Sequence, residues 1–182
     1  MVIDENAHLL EGIIEYNYEL TEDCLKTNYY GTKLVTTELL PLLQLSDSAR
    51  IVNVSSFYGE LKWIYNEKVK AELNNVESID EIVKCFLKDY KENNLKANGW
   101  PIVVSAYKIS KAAINAYTRL LARKFPNMLI NCVHPGYTQT ELTSNTGPLT
   151  PAEGARAPAM LALLPDDGPS GIYFLEMQPS TF

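Results

Sequence analysis

Tyr107 and Lys111 stand four residues apart in "SAYKISKAAINAY", Ser105 to Tyr117. The run is lined with alanine and reads as a helix, so the phenol and the ammonium lie one above the other on the same face. A phenol titrates near ~10 in water, and it can give or take a proton near neutrality only where a neighbouring positive charge stabilises its phenolate. The spacing alone decides little, because Tyr29 and Lys33 repeat it. Three further groups could complete a site. Ser55 and Ser56 close an apolar β-branched run, and the carboxyl ends of parallel strands are where open sheets gather ligand groups. Asn28 sits inside a helical pattern, an awkward place for a short amide without a task. Pro135 and Gly136, followed by Thr138 and Thr140, end another apolar run with a turn and two hydroxyls. Each has a plain alternative: strand-end serines make turns, a helix asparagine can be solvated, and Pro-Gly is a common loop signal.

The elements that would position these groups follow from the apolar pattern. Leu25, Tyr29, Leu39, Leu40 and Leu43 recur at helical spacing across residues 21–43, with Pro41 in the closing turn. "ARIVNVSS", Ala49 to Ser56, and "MLINCV", Met128 to Val133, read as buried parallel strands, and "GIYFLE", Gly171 to Glu176, as a third. Between about residues 60 and 100 the charges mix. Ser78 and Glu81 have the form of a capping box, and Ile79, Ile82, Val83, Phe86, Leu87 and Tyr90 line one face behind it, which predicts a folded helical insertion. Small residues along Ala106, Ala113 and Ala116 let the Tyr107 helix approach a sheet closely. Thr150, Pro151 and Glu153 cap a further helix. Helix, strand, insertion, helix, strand, helix, strand is the order of an α/β fold with a parallel sheet and right-handed crossovers.

Composition sets the outer bounds. With 182 residues, 46% of them hydrophobic, and a net charge of -6, the chain has material for one substantial core. Its charges are scattered, which argues against nucleic acid and against a polybasic membrane anchor. Cys24, Cys85 and Cys132 lack metal-ligand spacing and suit a reducing, cytoplasmic compartment, and the acidic start is unlike a signal peptide. His8 and His134 are the only histidines and neither has a second ligand nearby in sequence, so no metal site is expected.

These motifs, in this order, resemble the short-chain dehydrogenase/reductase family over roughly Leu20 to Phe182. "KTNYYGT" is similar to the family's asparagine helix, "RIVNVSS" to its serine strand, "SAYKISK" to its Tyr-x-x-x-Lys helix and "VHPGYTQT" to the turn around the nicotinamide end of its cofactor. The insertion closing in "NGWP" resembles the carbonyl-reductase-like branch, which includes plant ketone reductases of the menthone, neomenthol and salutaridine type. The resemblance implies a single, incomplete Rossmann-type domain: three strands of the C-terminal part of the sheet, flanking helices and the insertion. It also implies roles. Tyr107 would exchange a proton with the substrate oxygen, and Lys111 would lower the phenol's pKa and hold the nicotinamide ribose. Ser56, rather than Ser55, would donate to the carbonyl, and Asn28 would hold a water that links Lys111 to solvent. Pro135, Gly136, Thr138 and Thr140 would frame the carboxamide. The cofactor would be NADP(H), the substrate a small hydrophobic ketone or alcohol favoured by Trp63, Tyr65 and Trp100, and the assembly a monomer.

One departure is large. The family opens with a glycine-rich turn that brings backbone to the cofactor phosphates, and none of the nine glycines here falls in such a pattern. The chain is therefore expected to be the C-terminal part of a reductase, weak in NADPH binding by itself, with one sheet edge bare. A silent remnant that acts only through protein association is the alternative.

Overall fold

Ala112, Ala113 and Ala116 are fully buried and Ala106 nearly so, and this strip of methyl groups determines how the molecule is layered. The structure, a computed structural model, describes residues 17–76 and 78–182; the acidic N-terminal stretch and His8 lie outside the described residues. The alanines belong to α5 (Ser105–Lys124), which packs against a sheet formed by β1 (Arg50–Val54), β2 (Leu129–His134), β3 (Tyr173–Leu175) and β4 (Gln178–Ser180). Strand order is β1-β2-β3-β4. The first three strands are parallel, with Val54 opposite Val133 and Cys132 opposite Tyr173.

The fourth strand adds to the three expected. At Glu176 the backbone takes a positive φ of 54°, the chain reverses, and β4 returns antiparallel to β3 with Gln178 opposite Leu175. Pro179 is tolerated because β4 is an edge.

Buried amides lock the layers. Asn53 donates from β1 to the Thr118 hydroxyl of α5 at 2.9 Å. Asn131 of β2 donates to the Pro169 carbonyl at 2.7 Å and accepts from the Ile172 amide at 3.0 Å, which fixes the connection into β3.

The helix expected over residues 21–43 forms as three consecutive pieces: α1 (Tyr18–Leu25), a π-helical segment (Lys26–Tyr30) and α2 (Gly31–Leu43). Asn28 is at the centre of the π segment, which shifts the register of every side chain beyond it. Beyond β1 come two 3-10 turns (Phe57–Gly59 and Leu61–Trp63), α3 (Glu67–Asn75) and α4 (Ile79–Lys91). Ile79, Ile82, Val83 and Phe86 are buried as the apolar spacing predicts. The Ser78 capping box does not form: Ser78 has a φ of 56°, its side chain caps nothing, and Glu81 pairs with Lys84 at 2.9 Å. An N-cap needs extended backbone to aim its oxygen at the first turn, and left-handed Ser78 cannot supply it. The second box does form, with Thr150 and Glu153 reciprocating at the start of α6 (Pro151–Gly154), and α7 (Arg156–Ala162) follows.

Among the described residues β1 has one unpaired edge. A groove of about 490 Å³ runs between that edge and α2, lined by Val35, Leu39, Ile51 and Val54 among others. No helix of the described residues is long and apolar enough to cross a membrane.

Candidate active site

Strand pleating separates the two serines at the end of β1. The Ser55 amide extends the ladder to the Val133 carbonyl at 2.8 Å, and its hydroxyl points toward the Lys111 carbonyl, 3.5 Å away, beneath α5. Ser56, one residue on, faces the other way. Its backbone is extended, at φ -158° and ψ 156°, and it caps the turn Phe57–Gly59 by accepting from the Tyr58 amide at 3.2 Å. Tyr173 anchors the same residue from β3 by donating to the Ser56 carbonyl at 3.3 Å. With its oxygen accepting from Tyr58, the Ser56 hydroxyl keeps its proton for donation, and the side-chain partner it meets is Tyr107.

Tyr107 stands in the first turn of α5, whose aligned amides present positive charge at that end. Burial pushes its phenol above the ordinary value, and the hydrogen bond to Ser56 works in the opposite direction. Lys111, one turn further, donates to the Val54 carbonyl at 3.0 Å and holds its Nζ 5.5 Å from the centre of the Tyr107 ring. Burial lowers the Lys111 pKa. The expected depression of the Tyr107 pKa by Lys111 is therefore not the net effect: desolvation wins, and the phenol is held protonated. Tyr58 covers the site, its ring edge-on to Tyr107 at 6.3 Å, and Trp63 lies against Tyr58 at 5.6 Å.

Asn28 reaches the same region from the π segment. Its amide donates to the Ser110 hydroxyl at 3.0 Å and lies 3.6 Å from the Cys24 sulfur, while its backbone carbonyl accepts from Thr32 at 2.7 Å. Ser110, Cys24 and Tyr58 also lie at this site, where their types and spacing in the sequence had not placed them. Ser110 left one signal, a hydroxyl three residues beyond Tyr107 and next to Lys111 on the same helix.

The turn after β2 is built as its residues suggest. Gly136 has a φ of 91°, and a Cβ there would come within 2.4 Å of Leu149 Cδ1, so only glycine fits without strain. The Thr138 hydroxyl approaches the Gly136 carbonyl at 3.4 Å and rests against Gly154, and Thr140 opens the turn Glu141–Thr143 through a box with Thr143. Both hydroxyls are engaged within their own loop. His134, just before the turn, is half-buried beside Phe57, and desolvation lowers its pKa to about 4.

The other Tyr-x-x-x-Lys copy lies elsewhere. Tyr29 donates to Asp80 at 2.7 Å and Lys33 pairs with the same carboxylate at 2.5 Å, tying the π segment and α2 to α4. Trp100 is also structural: it is buried against Phe86, with its indole donating to Asp89 at 2.7 Å. Tyr65 is exposed.

An open, mostly parallel sheet carries Ser56 just beyond the end of β1, with Tyr107 and Lys111 on the helix packed against it. Comparison with known proteins gives the family. The chain is 49% identical over 177 residues to short-chain dehydrogenase/reductase 1 of Saponaria officinalis, covering 94% of this chain and 59% of that protein. It is 38% identical over 159 residues to carbonyl reductase [NADPH] 3 of Mus musculus, covering 80% and 55%. The solved structure of salutaridine reductase from Papaver somniferum superposes with a TM-score of 0.82 at 44% identity, covering 96% of this chain and 67% of that one. The chain belongs to the short-chain dehydrogenase/reductase family. No protein-family model matches it. It spans somewhat more than half the length of these two curated relatives.

Proposed function

We propose that the protein carrying this chain interconverts a small hydrophobic ketone and its alcohol with NADP(H), acting as a monomer in the cytoplasm. One observation carries the reading: the Ser56 and Tyr107 side chains are hydrogen-bonding partners at the end of β1, with the Lys111 ammonium 5.5 Å from the centre of the Tyr107 ring. Two donors converging on one point suit a carbonyl oxygen on which negative charge develops. The mouse relative's name supports the cofactor and the carbonyl, and the Tyr58 and Trp63 rings support an apolar substrate.

Each residue then has a task. Ser56 donates to the substrate oxygen, which its bond from Tyr58 leaves it able to do. Tyr107, kept protonated by burial, gives that oxygen its proton during reduction and takes it back during oxidation. Lys111 compensates the phenolate that remains. Asn28 lies behind these groups, on the path by which a proton would be resupplied. Lys111 and Tyr107 would hold the ribose of the nicotinamide end, and the Pro135-Gly136 turn with Thr138 and Thr140 would frame its carboxamide. The nicotinamide, when bound, supplies or accepts the hydride.

The residues present suit the nicotinamide half of the dinucleotide, whereas no glycine-rich phosphate turn occurs in the sequence. The 182-residue chain alone is therefore expected to bind NADPH weakly and to turn over slowly. Fluorescence titration of NADPH tests this, and micromolar or tighter binding contradicts it. A second reading is favoured by the unpaired edge of β1 and the exposed Leu34, Val35, Leu39 and Leu42 of α2: a silent chain acting through association alone. NADPH-linked carbonyl turnover by the protein carrying this chain excludes that reading, and its absence with every carbonyl tried favours it.

A further inference from the structure

Lys108 follows Tyr107 on α5 and is buried, at 5% exposure. A cation is out of place there twice over. The residue lies at the start of a helix, whose amides present positive charge, and a buried ammonium forfeits hydration. Two aromatic faces meet it. Its Nζ stands over the Trp63 ring, 4.7 Å from the centre, and over the Tyr58 ring at 5.2 Å, within the range at which a ring face attracts a cation. Tyr58 is also the ring edge-on to Tyr107 at 6.3 Å, and its amide donates to the Ser56 hydroxyl oxygen at 3.2 Å. Trp63 is held from its other end, where the indole donates to the Phe57 carbonyl at 3.0 Å. The 3-10 turns that carry the two rings are three residues each, too short to fix large side chains by their own backbone bonds. Lys108 belongs to a helix of 20 residues, with its amide bonded to the Val104 carbonyl at 3.0 Å. It ties both rings to the rigid element that carries Tyr107.

We propose that Lys108 is a positioning residue that sets specificity: its ammonium fixes the Tyr58 and Trp63 rings as one wall over Tyr107, and a wall of fixed shape selects rigid cyclic carbonyl compounds over flexible open-chain ones. This deepens, and rests on, the reading of Ser56 and Tyr107 as the groups that meet a carbonyl oxygen. A rigid ring system laid against a fixed aromatic wall keeps its carbonyl at one distance from Tyr107, whereas an open chain adapts to a wall that moves. Lys62 provides the contrast. It stands by the same Trp63 ring, at 5.3 Å, but it is exposed, pairs with Glu60 at 2.6 Å and lies over Phe57 at 3.8 Å.

The test has two readouts. Trp63 and Trp100 are the chain's two tryptophans, and Trp100 is buried with its indole on Asp89, so acrylamide quenching of the 182-residue chain reports Trp63. Lys108→Met keeps the stem and removes the cation, so the quenching constant should rise about twofold. Lys108→Arg should leave it at the parent's value, because a guanidinium also serves a ring face. In the protein carrying this chain, Lys108→Met should raise KM for an alkyl-substituted cyclohexanone about threefold to tenfold and for an unbranched hexanone less than about twofold, with kcat held within about twofold for both. Lys108→Arg should restore KM, and Lys62→Met should leave it unchanged. An unmoved quenching constant in Lys108→Met, a KM that rises equally for both ketones, or a fall in kcat with KM unmoved overturns the proposal. So does a loss of thermal stability with both readouts unchanged, which marks Lys108 as merely structural. Should the protein turn over no carbonyl compound, the specificity falls with the proposed function, while quenching still decides whether Lys108 fixes the wall. Should Lys108→Met not fold, NMR of the parent decides: Lys108 ε-methylene protons shifted upfield by the ring faces support the clamp, and unshifted protons refute it.

Discussion

Gly59 presses directly on the backbone of Lys111. A Cβ at Gly59 would lie 3.0 Å from the Lys111 carbonyl carbon and oxygen and 2.8 Å from Asn115 Nδ2, which itself donates to the Gly59 carbonyl at 3.1 Å. The contact sets how near the lysine's helix comes to the turn that follows Ser56. Backbone cannot yield as a flexible side chain can, so Gly59→Ala should cost about 1–3 kcal/mol of stability in urea unfolding. It should also lower turnover in the protein carrying this chain, by moving Lys111 away from the end of β1.

The duplicated Tyr-x-x-x-Lys spacing permits an internal control. Burial acts to raise the Asp80 pKa, but the hydrogen bonds from Lys33 and Tyr29 outweigh it and hold the carboxylate low. Asp80→Asn should therefore destabilise the chain by about 1 kcal/mol, since the pair is partly exposed. Tyr29→Phe should likewise reduce stability while leaving any turnover close to that of the parent. A Tyr29→Phe variant that is stable but loses turnover would place the chemistry at the wrong tyrosine.

His134 predicts the acid limb of stability. Burial lowers its pKa from 6.5 to about 4, so the folded state keeps the ring neutral where the unfolded chain already binds a proton. The stabilisation is complete above pH 6.5 and is lost as pH falls toward 4. Urea midpoints measured across that window should fall with pH in the parent, and His134→Gln should flatten the contribution. Identical slopes in the two proteins would contradict the burial argument.

Much of this arrangement is visible in the chain before any coordinates. Tyr107 and Lys111 are related by helical period, Ser55 and Ser56 by strand alternation, and Pro135-Gly136 by the demand for positive φ; each is a local rule read off a few residues. What stayed hidden was non-local. Apolar spacing shows a helix across residue 28 but not that five of its residues wind as a π-helix, because that winding is settled by what Asn28 and Tyr29 reach on α5 and α4. Ser78 carried a capping sequence, yet its positive φ prevented the cap. Trp100 suggested a binding surface, and Asp89 took its indole into the core. Ser110 could not be distinguished from any other small residue on an alanine-rich helix until Asn28 stood against it.

In the proposed reaction Tyr107 exchanges a proton with a substrate oxygen, and one variant tests that role most directly. Tyr107→Phe removes the hydroxyl and leaves the ring against Tyr58. Steady-state carbonyl reduction by the protein carrying this chain should fall by at least about 10²-fold, the scale of a lost general acid, while NADPH binding measured by fluorescence stays within a few-fold of the parent. Undiminished reduction by Tyr107→Phe would contradict the account.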